Sequence, residues 1–201
     1  KVTIIGLGYV GLPLAVEISK SKICFLTKEE INRTTIGFDI NSERIKELNE
    51  GKDKTNEVKS ENFHYFKNLS FTSEVKDLLK TDVFIVTVPT PVDSNNNPDL
   101  TALSKACITI GEILKESKIK CKDIKDNPNQ IVIFESTVYP GATEEFCIPI
   151  IEKYSQLKLH EDFHCGYSPE RINPGDSSRK IKDIVKVTSG SCTESASWIN
   201  S

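Results

Sequence analysis

The most constraining feature of this 201-residue sequence stands near its start. Val2 to Ile5 is a short apolar run, Gly6-Leu7-Gly8-Tyr9-Val10-Gly11 follows it directly, and an apolar-periodic stretch continues from about Tyr9 to Ser19. That order reads as strand, tight turn and helix. In this context each glycine has a task. Gly6 permits the turn, Gly8 leaves no side chain between the backbone and a pyrophosphate, and Gly11 lets the helix approach the sheet. Amide N–H groups and the positive end of the helix dipole then face an anion. The competing reading is a glycine-rich turn that holds no ligand.

A second strand, Thr35 to Asp39, ends on a carboxylate. An acid there accepts both ribose hydroxyls of an adenosine and repels a 2′-phosphate, which selects NAD over NADP. Asp39 lies further from Gly11 than the usual ~20 residues, and the polar stretch Lys20 to Thr35 absorbs the excess. Alternatively, Asp39 only starts a turn before Asn41. Asn41 or Ser42 is the expected N-cap of a helix that turns Ile45 and Leu48 inward. Arg44, one helical turn on, either lies over the adenine, pairs with a phosphate or is an exposed helix arginine.

Further along, Val83 to Val88 and Gln130 to Phe134 are nearly continuous apolar, β-branched runs, the pattern of strands covered on both faces. Helices are expected at Glu74 to Leu79, about Leu103 to Glu116 and about Ala142 to Tyr154. Late strands are expected at Phe163 to Tyr167 and Ile184 to Val187, bracketing a Pro/Gly-broken loop from Ser168 to Arg179. The alternation predicts an α/β fold, a doubly wound, mostly parallel sheet of Rossmann type, in one domain over residues 1–201.

Composition narrows the function classes. With 26 basic and 29 acidic residues the formal net charge is −3, and no Lys/Arg block offers a nucleic-acid footprint. No apolar run reaches the ~18–20 residues of a bilayer span, and no leader pattern precedes the first strand, so membrane insertion and secretion are not expected. Six cysteines at wide spacings, with no CxxC pair and no cysteine-histidine cluster of zinc type, fit reduced thiols in a cytoplasm and no metal. The sequence holds no Met and stops at Ile199, Asn200 and Ser201, where a new helical pattern is expected to begin, so a fragment of something longer is expected.

Three more constellations follow predicted strands. Val88-Pro89-Thr90-Pro91 makes a rigid exit at a sheet edge, where ligands of open α/β folds collect. Glu135-Ser136-Thr137-Val138-Tyr139-Pro140-Gly141 places hydroxyls at the next exit, although Ser136 or Thr137 alone would serve equally as an N-cap. In Gly166-Tyr167-Ser168-Pro169-Glu170-Arg171-Ile172-Asn173-Pro174-Gly175-Asp176, a carboxylate beside a guanidinium on a proline-locked loop is suited to hold a sugar hydroxyl or an ordered water. Alone, it also reads as a surface turn with a weak ion pair.

Together with Ile184 to Gly190, these segments resemble the UDP-glucose/GDP-mannose dehydrogenase family, in particular its members acting on UDP-N-acetylhexosamines for surface polysaccharides. The resemblance covers nearly the whole chain. It implies NAD as cofactor, a UDP-sugar as partner substrate, and oxidation of the sugar C6 alcohol to a carboxylate in two NAD-dependent steps. UDP-glucose and GDP-mannose are the neighbouring alternatives. Gly6, Gly8, Tyr9, Val10, Gly11, Asp39, Arg44, Val88, Pro89, Thr90, Ser136 and Thr137 match cofactor contacts. Thr137 and Glu170 match residues that order a water near C6 and assist proton transfer, and Glu170, Arg171 and Asn173 match the substrate side.

The resemblance also implies that the nucleophilic cysteine, with its lysine and asparagine, and the dimerising central helices lie in segments outside this sequence. The piece is therefore expected to bind NAD without turnover. Gly190-Ser191-Cys192 imitates the end of the cysteine motif but falls where the family places a turn into a helix, so Cys192 is not expected to be the nucleophile. Pro174, where glucose-specific relatives carry a second glutamate, favours the N-acetylhexosamine branch. Rival readings are a non-catalytic NAD-binding module and a hydroxyacid- or phosphogluconate-type dehydrogenase with a similar first half.

Overall fold

A computed structural model describes residues 1–24, 27–59, 63, 67–120, 130–171 and 185–200. Among the described residues seven strands form one sheet: β1 (Val2–Ile5), β2 (Thr35–Phe38), β3 (Leu69–Thr72), β4 (Val83–Val86), β5 (Gln130–Phe134), β6 (Phe163–Tyr167) and β7 (Ser189–Gly190). Their spatial order is β3-β2-β1-β4-β5-β6-β7, with every pair parallel except β6–β7. This is the doubly wound order, and its direction reverses between β1 and β4.

Helices α1 (Gly11–Lys20), α2 (Ser42–Asn49), α3 (Thr101–Lys120), α4 (Ile148–Ser155) and α5 (Thr193–Ile199) flank the sheet. The central strands are apolar on both faces because both faces are covered. Ile5, Phe84, Val86, Val132 and Phe134 meet α3 and α4 through Ile110, Leu114 and Ile151. Their alternates Ile4, Ile85 and Ile133 meet Leu12 and Ala15 of α1 and Ile45 and Leu48 of α2. Asn41 is the N-cap of α2, its Oδ1 accepting the Glu43 and Arg44 N–H groups at 3.1 and 3.2 Å.

Several expectations need correction. β3 carries no strong sequence signal: it is an edge strand whose residues are only partly covered. The helix expected over Glu74 to Leu79 is a 3₁₀ turn, Val75–Leu78, too short for an α-helical run. The helix expected from Ala142 opens as a π-helical turn, Thr143–Cys147, before α4. No strand occupies residues 185–187, where Val185 and Val187 are exposed, and Ile184 lies outside the described residues. The last strand is β7 instead, where Gly190 stands opposite Gly166. A Cβ on Gly166 would fall 2.7 Å from the Ser189 carbonyl oxygen, and one on Gly190 would fall 2.3 Å from the Ala196 nitrogen. Backbone approach decides this pairing, and β-propensity does not register it.

Candidate functional site

β1, β4 and β5 end side by side, and side-chain hydroxyls tie their exits together. Thr87 Oγ1 donates to the Gly6 carbonyl at 2.8 Å, Ser136 Oγ donates to the Val88 carbonyl at 2.7 Å, and the Thr90 hydroxyl donates to the Thr137 carbonyl. Over this seam, at the point where the strand order reverses, opens a cavity of about 460 Å³. The N-terminal end of α1 forms one wall and α3 the other.

The glycine turn is shaped by contacts. Gly6 has φ of +96°, which a side chain would strain. A Cβ on Gly11 would lie 1.8 Å from the Gly6 carbonyl oxygen and 2.4 Å from Thr87 Oγ1. A Cβ on Gly8 would meet nothing within 4 Å, so the space over this residue is open to the cavity it lines. No side chain caps α1 at Val10, and its first turn holds no acid. The protein itself therefore leaves the positive end of this helix unanswered.

Asp39 follows β2 directly. Its Oδ2 accepts the Leu7 N–H at 2.8 Å and its Oδ1 accepts the Asn41 N–H at 2.9 Å. A carboxylate has about four acceptor positions, so two remain for hydroxyls of a ligand. The same bonds lock the acid to the glycine turn.

A family profile described as the UDP-glucose/GDP-mannose dehydrogenase family, NAD binding domain, matches residues 1–199. This chain belongs to that family. It is 51% identical over 201 residues to the UDP-N-acetyl-D-glucosamine 6-dehydrogenase of Pseudomonas aeruginosa, covering all of this chain and 42% of that protein. Protein CapL of Staphylococcus aureus is 48% identical over 193 residues, which are 96% of this chain and 40% of CapL. Among solved structures, the UDP-D-ManNAc dehydrogenase of Pyrococcus horikoshii matches with a TM-score of 0.76 at 29% identity, over 99% of this chain and 43% of that one. The chain thus spans about two fifths of the length of these relatives.

NAD is the cofactor of this family domain, and the residues present fit it. Open space over Gly8, the uncapped start of α1 and the two free acceptor positions of Asp39 suit a diphosphate flanked by an adenosine ribose. Tyr9 and Val10 line the cavity beside Gly6 and Gly8, and Val88, Pro89, Thr90, Ser136, Thr137 and Glu170 line it further on. Three expected site residues lie elsewhere. Gly11 packs beneath the turn. Arg44 braces it from behind, donating from Nε to the Leu7 carbonyl at 3.0 Å and pairing with Asp53 at 2.8 Å, so it neither stacks in the cavity nor stands exposed. Arg171 is exposed, donates to the Val185 carbonyl at 3.3 Å and is outside the cavity lining. Asn173 lies outside the described residues.

Neither Ser136 nor Thr137 caps a helix, because the next helical segment starts beyond Ala142. Glu170 Oε1 accepts the Arg171 backbone N–H at 2.7 Å. Sequence reasoning missed two features. Lys105 and Thr109 reach the cavity from α3, on the face shared with Ala102 and Ala106, a spacing visible only once the helix is known to border the cleft. Glu135 is buried at 6% exposure and paired with Lys186. Burial pushes the Glu135 carboxyl up, the Lys186 ammonium opposes this, and nearby Glu170 adds to the rise.

Among the described cysteines none lines the cleft. Cys107, Cys147 and Cys165 are buried; a hydrogen bond with Cys147 and burial push the Cys107 thiol up, and burial does the same to Cys165. Hydrogen bonding from Ser195 holds the Cys192 thiol below its ordinary value. Cys192, however, lies just after β7 and beside His164 near the amino-terminal end of β6, across the sheet from the cleft.

Proposed function

We propose that this chain is the dinucleotide-binding part of a UDP-N-acetylhexosamine 6-dehydrogenase, which oxidises the sugar C6 alcohol to a carboxylate in two NAD-dependent steps. The observation that carries the reading is that Thr137 and Glu170, from the exits of β5 and β6, enter the same cavity as Gly8 and Asp39. A module that only binds a dinucleotide needs no carboxylate beyond the ribose acid. The Pseudomonas and Pyrococcus relatives, a UDP-N-acetyl-D-glucosamine 6-dehydrogenase and a UDP-D-ManNAc dehydrogenase, support the same substrate class.

NAD, when bound, supplies the hydride acceptor for each oxidation. Glu170 and Thr137 order a water near C6, and through that water the Glu170 carboxylate takes up the proton that the alcohol releases as its carbon loses hydride. An aldehyde gives up hydride only after a nucleophile adds to it; in this reading that nucleophile is the family's cysteine thiolate, and no described cysteine lines the cleft. We assign that group, and the contacts of a homodimer or larger assembly, to the length of these relatives that this chain does not span. Among the described residues no helix is long and apolar enough to cross a membrane. We place the protein in the cytoplasm, where buried thiols such as Cys107, Cys147 and Cys165 stay reduced.

Titrating the chain with NAD and NADP tests the Asp39 role: NAD is expected to bind at least ~10-fold tighter, about 1.4 kcal/mol, and equal affinity would refute it. In the whole enzyme, Glu170→Gln is expected to lower kcat by ~10²-fold or more with NAD affinity unchanged. Unaltered turnover would remove Glu170 from the chemistry.

A further inference from the structure

At the edge of the sheet opposite the dinucleotide cleft, the fold gathers a second group of reactive side chains. His160 sits in the turn between α4 and β6 with φ of +70°, and its N–H donates to the Phe163 carbonyl at 2.8 Å. That tight turn carries its ring back alongside His164 of β6, with ring centroids 6.0 Å apart and planes inclined by 54°. Cys192 arrives from 28 residues further along the chain, because the Gly166–Gly190 pairing lays the segment after β7 beside β6. Its Sγ stands 3.7 Å from His164 Nδ1, and one ligand atom from each of His160, His164 and Cys192 lies within 4.8 Å of the others.

These distances have a chemical meaning. A tetrahedral ion with Zn–S of about 2.3 Å and Zn–N of about 2.0–2.1 Å separates a sulfur from a nitrogen ligand by about 3.6 Å. Cys192 Sγ and His164 Nδ1 already stand at that separation. His160 is exposed, and its ring must turn towards the other two ligands for an ion to be bound at this distance. The interval of three residues between His160 and His164 matches the histidine spacing of zinc sites. Ser195 fixes the sulfur from the far side, its backbone N–H donating to Cys192 Sγ at 3.5 Å, which is the kind of outer contact that orients a metal ligand. Beside His164, a cavity of about 300 Å³ bordered by Glu194 gives access for solvent.

We propose that His160, His164 and Cys192 form a mononuclear transition-metal site that takes Zn²⁺, with water in the fourth position. Two imidazoles and a thiolate select a borderline-soft ion and reject Mg²⁺ and Ca²⁺, which require oxygen ligands. The bound ion ties the α4–β6 turn to the start of α5 and so clamps the two-residue strand β7, the shortest element of the sheet. The site shares no residue with the dinucleotide cavity, so its test is independent of the proposed activity.

Titration of the full-length protein with Co²⁺ under reducing, oxygen-free conditions reads the site directly. One equivalent is expected to produce the visible bands of tetrahedral Co²⁺ together with a near-ultraviolet thiolate-to-metal charge-transfer band, and Zn²⁺ is expected to displace both. Cys192→Ser keeps an oxygen N-cap for α5, so the fold is retained while the charge-transfer band disappears. His160→Asn tolerates the left-handed backbone and is expected to weaken Zn²⁺ binding at least ~10-fold. Cys24→Ser is expected to change neither band. NAD affinity is expected to stay constant in all three variants. A six-coordinate Co²⁺ spectrum, absence of one-equivalent binding, or a charge-transfer band that survives Cys192→Ser would overturn the proposal.

Discussion

A methyl group at Gly11 would stand 1.8 Å from the Gly6 carbonyl oxygen, whereas one at Gly8 would enter open space. The two glycines of one motif therefore serve different ends, and substitution separates them. Gly11→Ala is expected to cost ~2–3 kcal/mol of stability, the range of an overpacked core, measured by denaturant unfolding. Gly8→Val is expected to leave the unfolding midpoint within experimental scatter and to weaken NAD binding at least ~10-fold. Equal destabilisation by both changes would contradict this division. The place of Asp39 was legible at the same scale, because it closes the second strand, and both the turn before Asn41 and the bond to Leu7 use its carboxylate. Arg44 was not, since its position on α2 permits several directions. The Leu7 carbonyl and Asp53, distant in sequence, choose among them.

Elements were readable where periodicity was strong and hidden where it was not. The ends of β5 follow from a nearly continuous apolar run, and α2 starts at Asn41 because its amide oxygen satisfies two otherwise unpaired N–H groups. Asn41→Ala is expected to lower stability by ~1 kcal/mol through loss of that cap, and Asn41→Ser is expected to recover most of it, both measured by thermal unfolding. β3 and β7 escaped because they are short edge strands whose existence depends on a neighbour. The π-helical turn over Thr143–Cys147 likewise has no periodic signature in five residues.

Across the whole molecule, a covered ion pair links α2, the turn after β1 and the segment following α2. The Asp53 carboxylate is fully covered and Arg44 is 11% exposed. Burial alone would raise the Asp53 carboxyl, yet hydrogen bonds from Thr55, Val58 and Arg44 hold it below its ordinary value of 3.8. A depressed acid contributes stability that is present above 3.8 and lost as pH falls through the lower folded value. Asp53→Asn is expected to destabilise the protein by ~2 kcal/mol near neutral pH, less than the 3–5 of a fully buried pair because Arg44 keeps some solvent contact. It is also expected to make the acid limb of the stability–pH curve shallower. An unchanged acid limb in pH-dependent unfolding would show that Asp53 titrates alike in both states.

The sequence by itself determined the doubly wound class, the glycine turn, the acid after β2 and the motifs that converge on the cleft, because each of these is a local pattern with a local physical cause. Tertiary structure alone decided which side chains share a space: Lys105 and Thr109 facing the glycine turn, Lys186 neutralising Glu135, Arg44 bracing Leu7 from behind, and two histidines meeting a cysteine 28 residues beyond the second of them. Such meetings depend on strand order and on close backbone approach, as at Gly166 and Gly190, and a linear pattern records neither.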